Sequence, residues 1–254
     1  MDIITNTKPS QSISITFGDV SINHVGNKKN GKLSLKGYSI EDLEFLKNKF
    51  EEKQIECELI RLDEVVEKDL GAGILIIRDG LKYFDINHNE LFNELLNLVW
   101  DKKYLCRRRK RVLNKQARYN LTFSNESQEP NYSVGEGRIY SFDDLKNLNK
   151  LRNDLGDFGD EFKNLECEGN YYFSKKCYIG YHGDAERRKV CCCRLGSSMN
   201  LKYNWYQYSK KVKDEFNFVL NSGDMYIMSS KAVGHDWKKR NILTLRHSAN
   251  FDSL

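Results

Sequence analysis

Six short stretches in the second half of the chain each have the composition of a β-strand: residues 169–173, 189–195, 201–208, 215–220, 224–228 and 242–246. Gly, Asn, Asp and Lys punctuate the gaps between them. Short strands at this spacing predict an antiparallel barrel or jelly roll.

The first hundred residues read differently. Ser39-Ile40-Glu41-Asp42 has the form of a capping box, and Leu43, Leu46 and Phe50 follow at helical spacing. Residues 56–62 read as a strand, and Asp63 as the cap of a short helix. Gly73-Ile74-Leu75-Ile76-Ile77 reads as a buried strand ended by Asp79-Gly80, and Leu91, Leu95 and Leu98 mark another helix. Ser141-Phe142-Asp143-Asp144 starts one more, with Leu145, Leu148, Leu151 and Leu155 on a face. The expected class is α+β: a small α/β region over residues 1–100, then a jelly-roll domain over 101–254. Gly71-Ala72-Gly73 precedes a strand and opens no helix, so a phosphate-binding glycine loop is not predicted.

Composition narrows the classes. Lys and Arg number 41 against 36 Asp and Glu, giving a net charge of +5, and 39% of residues are hydrophobic. That supplies a core and excludes wholesale disorder. The only prolines are Pro9 and Pro130, so Pro-rich linkers are not expected. No apolar run approaches the roughly 18–20 residues of a membrane span. Met1-Asp2-Ile3-Ile4-Thr5 lacks a secretory pattern. Seven cysteines, three of them consecutive at Cys191, Cys192 and Cys193, show no repeated C-x-x-C spacing. They read as reduced, mostly buried thiols of a soluble intracellular protein, in cytoplasm or nucleus. Residues 102–111 carry seven positive charges in ten. They form either a solvated loop at the seam of the two regions or a surface that contacts phosphates, with Arg108 and Arg109 at its centre.

The chemistry centres on the histidines, of which there are five: His24, His88, His182, His235 and His247. His182-Gly183-Asp184 is an H-x-D triplet. On a strand, positions i and i+2 share a face, so an imidazole and a carboxylate project together. A third ligand from a later strand completes a two-His-one-carboxylate set, which suits non-haem Fe(II) and leaves positions open for a cosubstrate and O2. The bland alternative for Asp184 is a charged loop with Glu186, Arg187, Arg188 and Lys189. Around the triplet lie Asn170-Tyr171-Tyr172, Gly223-Asp224, His235, and Arg240-Asn241-Ile242-Leu243-Thr244-Leu245-Arg246. A strand arginine such as Arg246 offers a fork of donors for a carboxylate.

This order, N-x-Y, H-x-D, G-D, H and R-x-x-L-T-x-R, resembles the AlkB-like Fe(II)- and 2-oxoglutarate-dependent dioxygenases over about residues 165–250. Together with 117–123, it looks like an uncharacterised subgroup of microbes and large viruses. The resemblance implies a double-stranded β-helix fold. It implies that His182, Asp184 and His235 hold iron, and that Arg246 pairs with the distal carboxylate of 2-oxoglutarate. Asn170 and Tyr172 would hydrogen-bond the same cosubstrate, and Arg240 matches a second family arginine, at shorter spacing from His235 than is typical. His247 is the rival third ligand: if neighbouring Arg246 points into the barrel, His247 points out.

Ala117-Arg118-Tyr119-Asn120-Leu121-Thr122-Phe123 imitates the family's terminal element but precedes H-x-D, so it cannot be that strand. It reads as a lid or substrate-contacting segment with Arg118 and Asn120 in polar roles, or as a strand packed on the barrel. Trp205, Tyr206 and Tyr208 read as barrel core or as a base-stacking platform. The implied activity is hydroxylation of a C–H bond with Fe(II), 2-oxoglutarate and O2, on a methylated base of DNA or RNA. Hydroxylation of a protein side chain or small metabolite, and an inactive binding module of the same fold, are the alternatives.

Overall fold

The apolar run at 73–77 forms a strand buried on both faces, and that double burial organises the molecule. The computed structural model describes residues 10–251; the N-terminal pentapeptide and Pro9 read above lie outside them. Leu75 and Ile77 point into one core, Ile74 and Ile76 into another. The three consecutive cysteines divide in the same way: Cys191 and Cys193 join the first core and Cys192 the second. All seven are free thiols.

The first core lies between a large sheet and a layer of helices. Ile40–Glu52 begins with the capping box read from sequence: the Ser39 side chain accepts from Asp42 N–H, and the Asp42 carboxylate accepts from Ser39 N–H. It buries Ile40, Leu43, Leu46 and Phe50. His88–Leu96 buries Leu91 and Leu95 and stops short of Leu98. Ser141 caps a short turn over Phe142–Asp144, and the helix proper, Lys146–Leu155, buries Leu148, Leu151 and Leu155. Each such side chain contributes about 1.5–3 kcal/mol on leaving water.

The large sheet has eight strands. Their order is Cys57–Arg61, Gly73–Ile77, Met225–Met228, Val190–Gly196, Ser12–Gly18, Glu166–Tyr172, Tyr119–Ser124 and Ile139–Ser141. Its pairs are antiparallel except the last. A second sheet runs Tyr178–His182, Thr244–Asn250, Met199–Gln207, with Phe216–Leu220 and Lys210–Lys211 on the last of these. The second core, with Tyr203, Trp205 and Leu245, joins the two sheets. Trp205 is fully buried, its indole N–H donating to Leu62 O at 2.7 Å, so it is core and not a stacking platform.

The boundary expected after residue 100 does not divide this fold. Ser12–Gly18 sits between Val190–Gly196 and Glu166–Tyr172, with Ser14 opposite both Arg194 and Asn170. Residues from both sides of the expected boundary therefore share one sheet. Ser12-Ile13-Ser14-Ile15-Thr16-Phe17 alternates strictly. Ile13, Ile15 and Phe17 enter the helix-side core, while Ser14 and Thr16 face the second sheet. Neighbouring strands repeat this inversion, with Asn120, Glu168, Asn170, Tyr172 and Arg194 on the same inner side. Polar side chains facing inward on four strands (Ser12–Gly18 among them) are costly unless they are hydrogen-bonded. No helix among the described residues is long and apolar enough to cross a membrane.

Candidate metal centre

His182 ends its strand and stands in register with His247 of Thr244–Asn250. Paired positions on adjacent strands bring same-face side chains close, and the two ring centroids are 4.4 Å apart. Asp184 lies beyond the strand end, where its N–H donates to Val233 O at 2.9 Å. Gly183 packs on Gly234 so tightly that a Cβ at 183 would stand 2.2 Å from Gly234 O. The close approach requires glycine at 183, and it fixes the carboxylate beside the imidazole. Asp184 Oδ1 is 3.4 Å from His182 Nε2 and 3.8 Å from His247 Nε2. All three ligand atoms lie within 4.8 Å of one another.

The electrostatics suit a cation. His182 Nδ1 lies 2.8 Å from Gly180 O; donating there, it turns Nε2 towards Asp184 and the centre. Burial lowers the His182 pKa, but its hydrogen bond to Asp184 and that carboxylate's charge outweigh this, and the net shift is upward. Burial and then His182 pull His247 down to about 3, so it is a neutral donor. Burial opposes ionisation of Asp184, yet Arg187, with both histidines, holds it well below the usual carboxylate range. Arg187 is 3% exposed and pairs with Glu168 at 2.5 Å and with Asp184 and Glu186 at 3.5 Å.

These groups line a cavity of about 520 Å³ between the sheets. Asn170, Tyr172, Arg118 and Asn120, all named from sequence, line it too. Asn170 Oδ1 accepts from Arg118 Nε at 2.7 Å and from Asn120 Nδ2 at 2.6 Å, while its Nδ2 donates to Glu168 at 3.1 Å. Asn120 thus belongs to a strand of the sheet, with Arg118 just before its start, and both stand in the cavity wall. Behind them, Lys115 Nζ donates to Asn120 Oδ1 at 2.8 Å and to Asn23 Oδ1 at 2.7 Å.

Burial pushes the Lys115 pKa down to about 7. A lysine depressed on folding binds its proton more weakly than in the unfolded chain. Stability should therefore rise with pH from near 7 towards about 10.4, by at most about 1.4 kcal/mol per pH unit. Urea unfolding over this range should show that rise, and Lys115→Met should flatten it. Equal slopes in both proteins would refute the assignment.

The remaining sequence candidates fall elsewhere. His235 does not join the metal group: its Nδ1 lies 3.2 Å from Arg187 O, and its ring lines a different cavity, with Tyr38 and Ser230. The backbone around Gly234 packs on the H-x-D turn, but the αL conformation of Gly234, φ +74°, carries the chain away immediately before His235. Arg246 stacks on Tyr206 at 4.1 Å and Trp237 at 5.2 Å and does not line the metal-site cavity. The strand does alternate, with the opposite facing to that expected: His247 points in and Arg246 out. The visible signal is Leu245, His247 and Ala249 alternating with polar Thr244, Arg246, Ser248 and Asn250, in a strand four residues longer at its end than expected. Arg240 is exposed on a bend outside the cavity.

The basic run is a hairpin, Lys103–Cys106 with Arg111–Asn114. Its turn exposes Arg107, Arg108, Arg109 and Lys110. It leans on the cavity mouth: Tyr104 lies against His24 at 3.8 Å between ring centroids, and Arg107 Nε donates to Gly26 O. His24 and Val25 line the cavity.

No protein-family model matches the chain. It is similar to the "Uncharacterized protein R156" of Acanthamoeba polyphaga mimivirus, 45% identical over 254 residues, which covers 98% of this chain and 99% of that protein.

Proposed function

The chain belongs to the family of this mimivirus protein, and we propose that it is an Fe(II)- and 2-oxoglutarate-dependent dioxygenase acting on a methylated base of DNA or RNA. One observation carries the reading: two histidines and one carboxylate converge on the wall of a polar cavity between two sheets. Three protein ligands leave open coordination positions, the arrangement suited to non-haem Fe(II). The paired sheets agree with a double-stranded β-helix.

His182, Asp184 and His247 would hold the iron. With 2-oxoglutarate and O2, the bound iron supplies oxidation of a C–H bond, with release of succinate and CO2. Arg187 keeps Asp184 ionised and oriented. Gly180 O fixes the His182 ring by accepting from Nδ1–H. The Arg118–Asn120–Asn170–Glu168 network forms a hydrogen-bonded wall against which a substrate can be positioned. A hydroxylated N-methyl group would leave as formaldehyde, and a hydroxylated C-methyl group would persist.

The exposed hairpin beside the mouth supports a polyanionic substrate. Among the described residues, no ion pair engages Arg107 to Arg111. Such a cluster attracts phosphates, and cavities that act on bases receive them flipped or single-stranded.

The test is succinate release from 2-oxoglutarate with Fe(II) and ascorbate, with and without methylated oligonucleotides. Wild type should release succinate, stimulated by the oligonucleotide, and His182→Ala should not. Arg108→Ala with Arg109→Ala should weaken oligonucleotide binding and lower the salt slope by about 2, roughly 0.9 per lost phosphate contact. Equal succinate from both proteins would end the iron reading; an unchanged salt slope would remove the hairpin from it.

A further inference from the structure

With Arg246 outside the cavity of the candidate metal site, Arg194 is a buried cation inside it that lacks a counter-ion among the described residues. It is 1% exposed, on the strand Val190–Gly196, and lines the same cavity as His182, Asp184 and His247. Its Nε has no hydrogen-bond partner. One terminal nitrogen donates only to the weak acceptor Met199 Sδ at 3.5 Å, and the guanidinium carbon lies 5.7 Å from the Tyr172 ring centre. Among the described residues, no carboxylate forms an ion pair with it. Asp224 accepts from the Arg194 backbone N–H, yet its own carboxylate is taken by Arg78 at 2.7 Å and Asp79 N–H at 2.9 Å.

The contrast with Arg187 is instructive. That arginine is equally buried and has three carboxylate partners. A buried guanidinium is tolerated when its charge and donors are matched. Arg194 satisfies neither condition among the described residues, while its fork of donors is suited to a carboxylate. Ser14, its neighbour across the sheet, and Tyr172 put hydroxyls on the same wall.

We propose that Arg194 anchors a carboxylate of a small dicarboxylate bound in the cavity, which on the function proposed above is the distal end of 2-oxoglutarate. Arg194 then takes the part that the sequence resemblance gives to Arg246, from a strand in the opposite sheet.

The experiment titrates 2-oxoglutarate into the full chain loaded with Mn(II), by calorimetry. Arg194→Met should weaken binding on the order of 10- to 100-fold, as expected for losing a charge-assisted pair. Arg194→Lys should fall between it and wild type, and Arg246→Met should match wild type. Mn(II) affinity should be the same in all four. Wild-type affinity in Arg194→Met, or the loss appearing in Arg246→Met, overturns the proposal. Should Arg194→Met fail to fold, undiminished affinity in Arg194→Lys overturns it instead. A parallel titration of glutarate into metal-free protein separates the two readings. If wild type binds no Mn(II), the iron reading fails; glutarate binding that is lost in Arg194→Met still supports the anchor, and no glutarate binding to wild type overturns it.

Discussion

His247→Ala should abolish divalent-metal binding, while His235→Ala leaves it within about twofold of wild type. His182, Asp184 and His247 share one coordination volume, and His235 lines a different cavity. On the proposed reading, His247→Ala takes away one of three converging donors, and no other described His, Cys, Asp or Glu joins that group. Since even partners of ligands are worth 10–100-fold in affinity, a ligand itself should cost at least on the order of 100-fold. Mn(II) or Co(II) titration of the two variants measures the difference directly. Alanine keeps the backbone pairing of position 247 with His182 and Tyr203, so far-ultraviolet circular dichroism should be unchanged. Loss in His235→Ala with retention in His247→Ala would reverse the assignment.

Arg187→Met should be the most destabilising single change near the site, by about 3–5 kcal/mol in the metal-free protein. That is the cost of breaking a buried pair and leaving its partners uncompensated. Arg187 is 3% exposed and faces three carboxylates, those of Glu168, Asp184 and Glu186. Methionine replaces the length of the stem but none of the charge. Glu168 keeps hydrogen bonds from Ile22 N–H and Asn170, which limits but does not remove the loss. At about 2–4 °C per kcal/mol for a chain of this size, the melting temperature should drop on the order of 10 °C. Urea unfolding of both proteins gives the number. A loss below about 1 kcal/mol would mean that the carboxylates are solvated in a way the geometry does not allow.

Much of the scaffold is legible in the sequence, because local patterns there agree with the fold. The Ser39–Asp42 box, the leucine spacing of the helices and the 73–77 run each signal their own element. His182 and Asp184 are legible for the same reason, since two residues of one short segment meet through local geometry. Positions that depend on pairing are less so. Ser12–Gly18 has the alternation of a strand, but its polar side is the inner one, so the pattern does not say which sheet it completes. That strand also ties the first residues to the last half of the chain and makes the division at residue 100 untenable. Which histidine joins His182 and Asp184 depends on which face of one strand turns inward. Reading the strand as ending at Arg246 hides Ala249, the residue that shows His247 shares the apolar side. Arg194 sits between Cys193 and Leu195, and its lack of a carboxylate partner among the described residues is visible only once the sheets close around it.

The most direct test of the account is anaerobic addition of Fe(II) and then 2-oxoglutarate, read by absorption. A keto acid chelated to Fe(II) gives a visible charge-transfer band. The account predicts that band in wild type and in His235→Ala, and its absence in His182→Ala, Asp184→Ala and His247→Ala. A band in His247→Ala at wild-type strength, or none in wild type with folded protein, would contradict it.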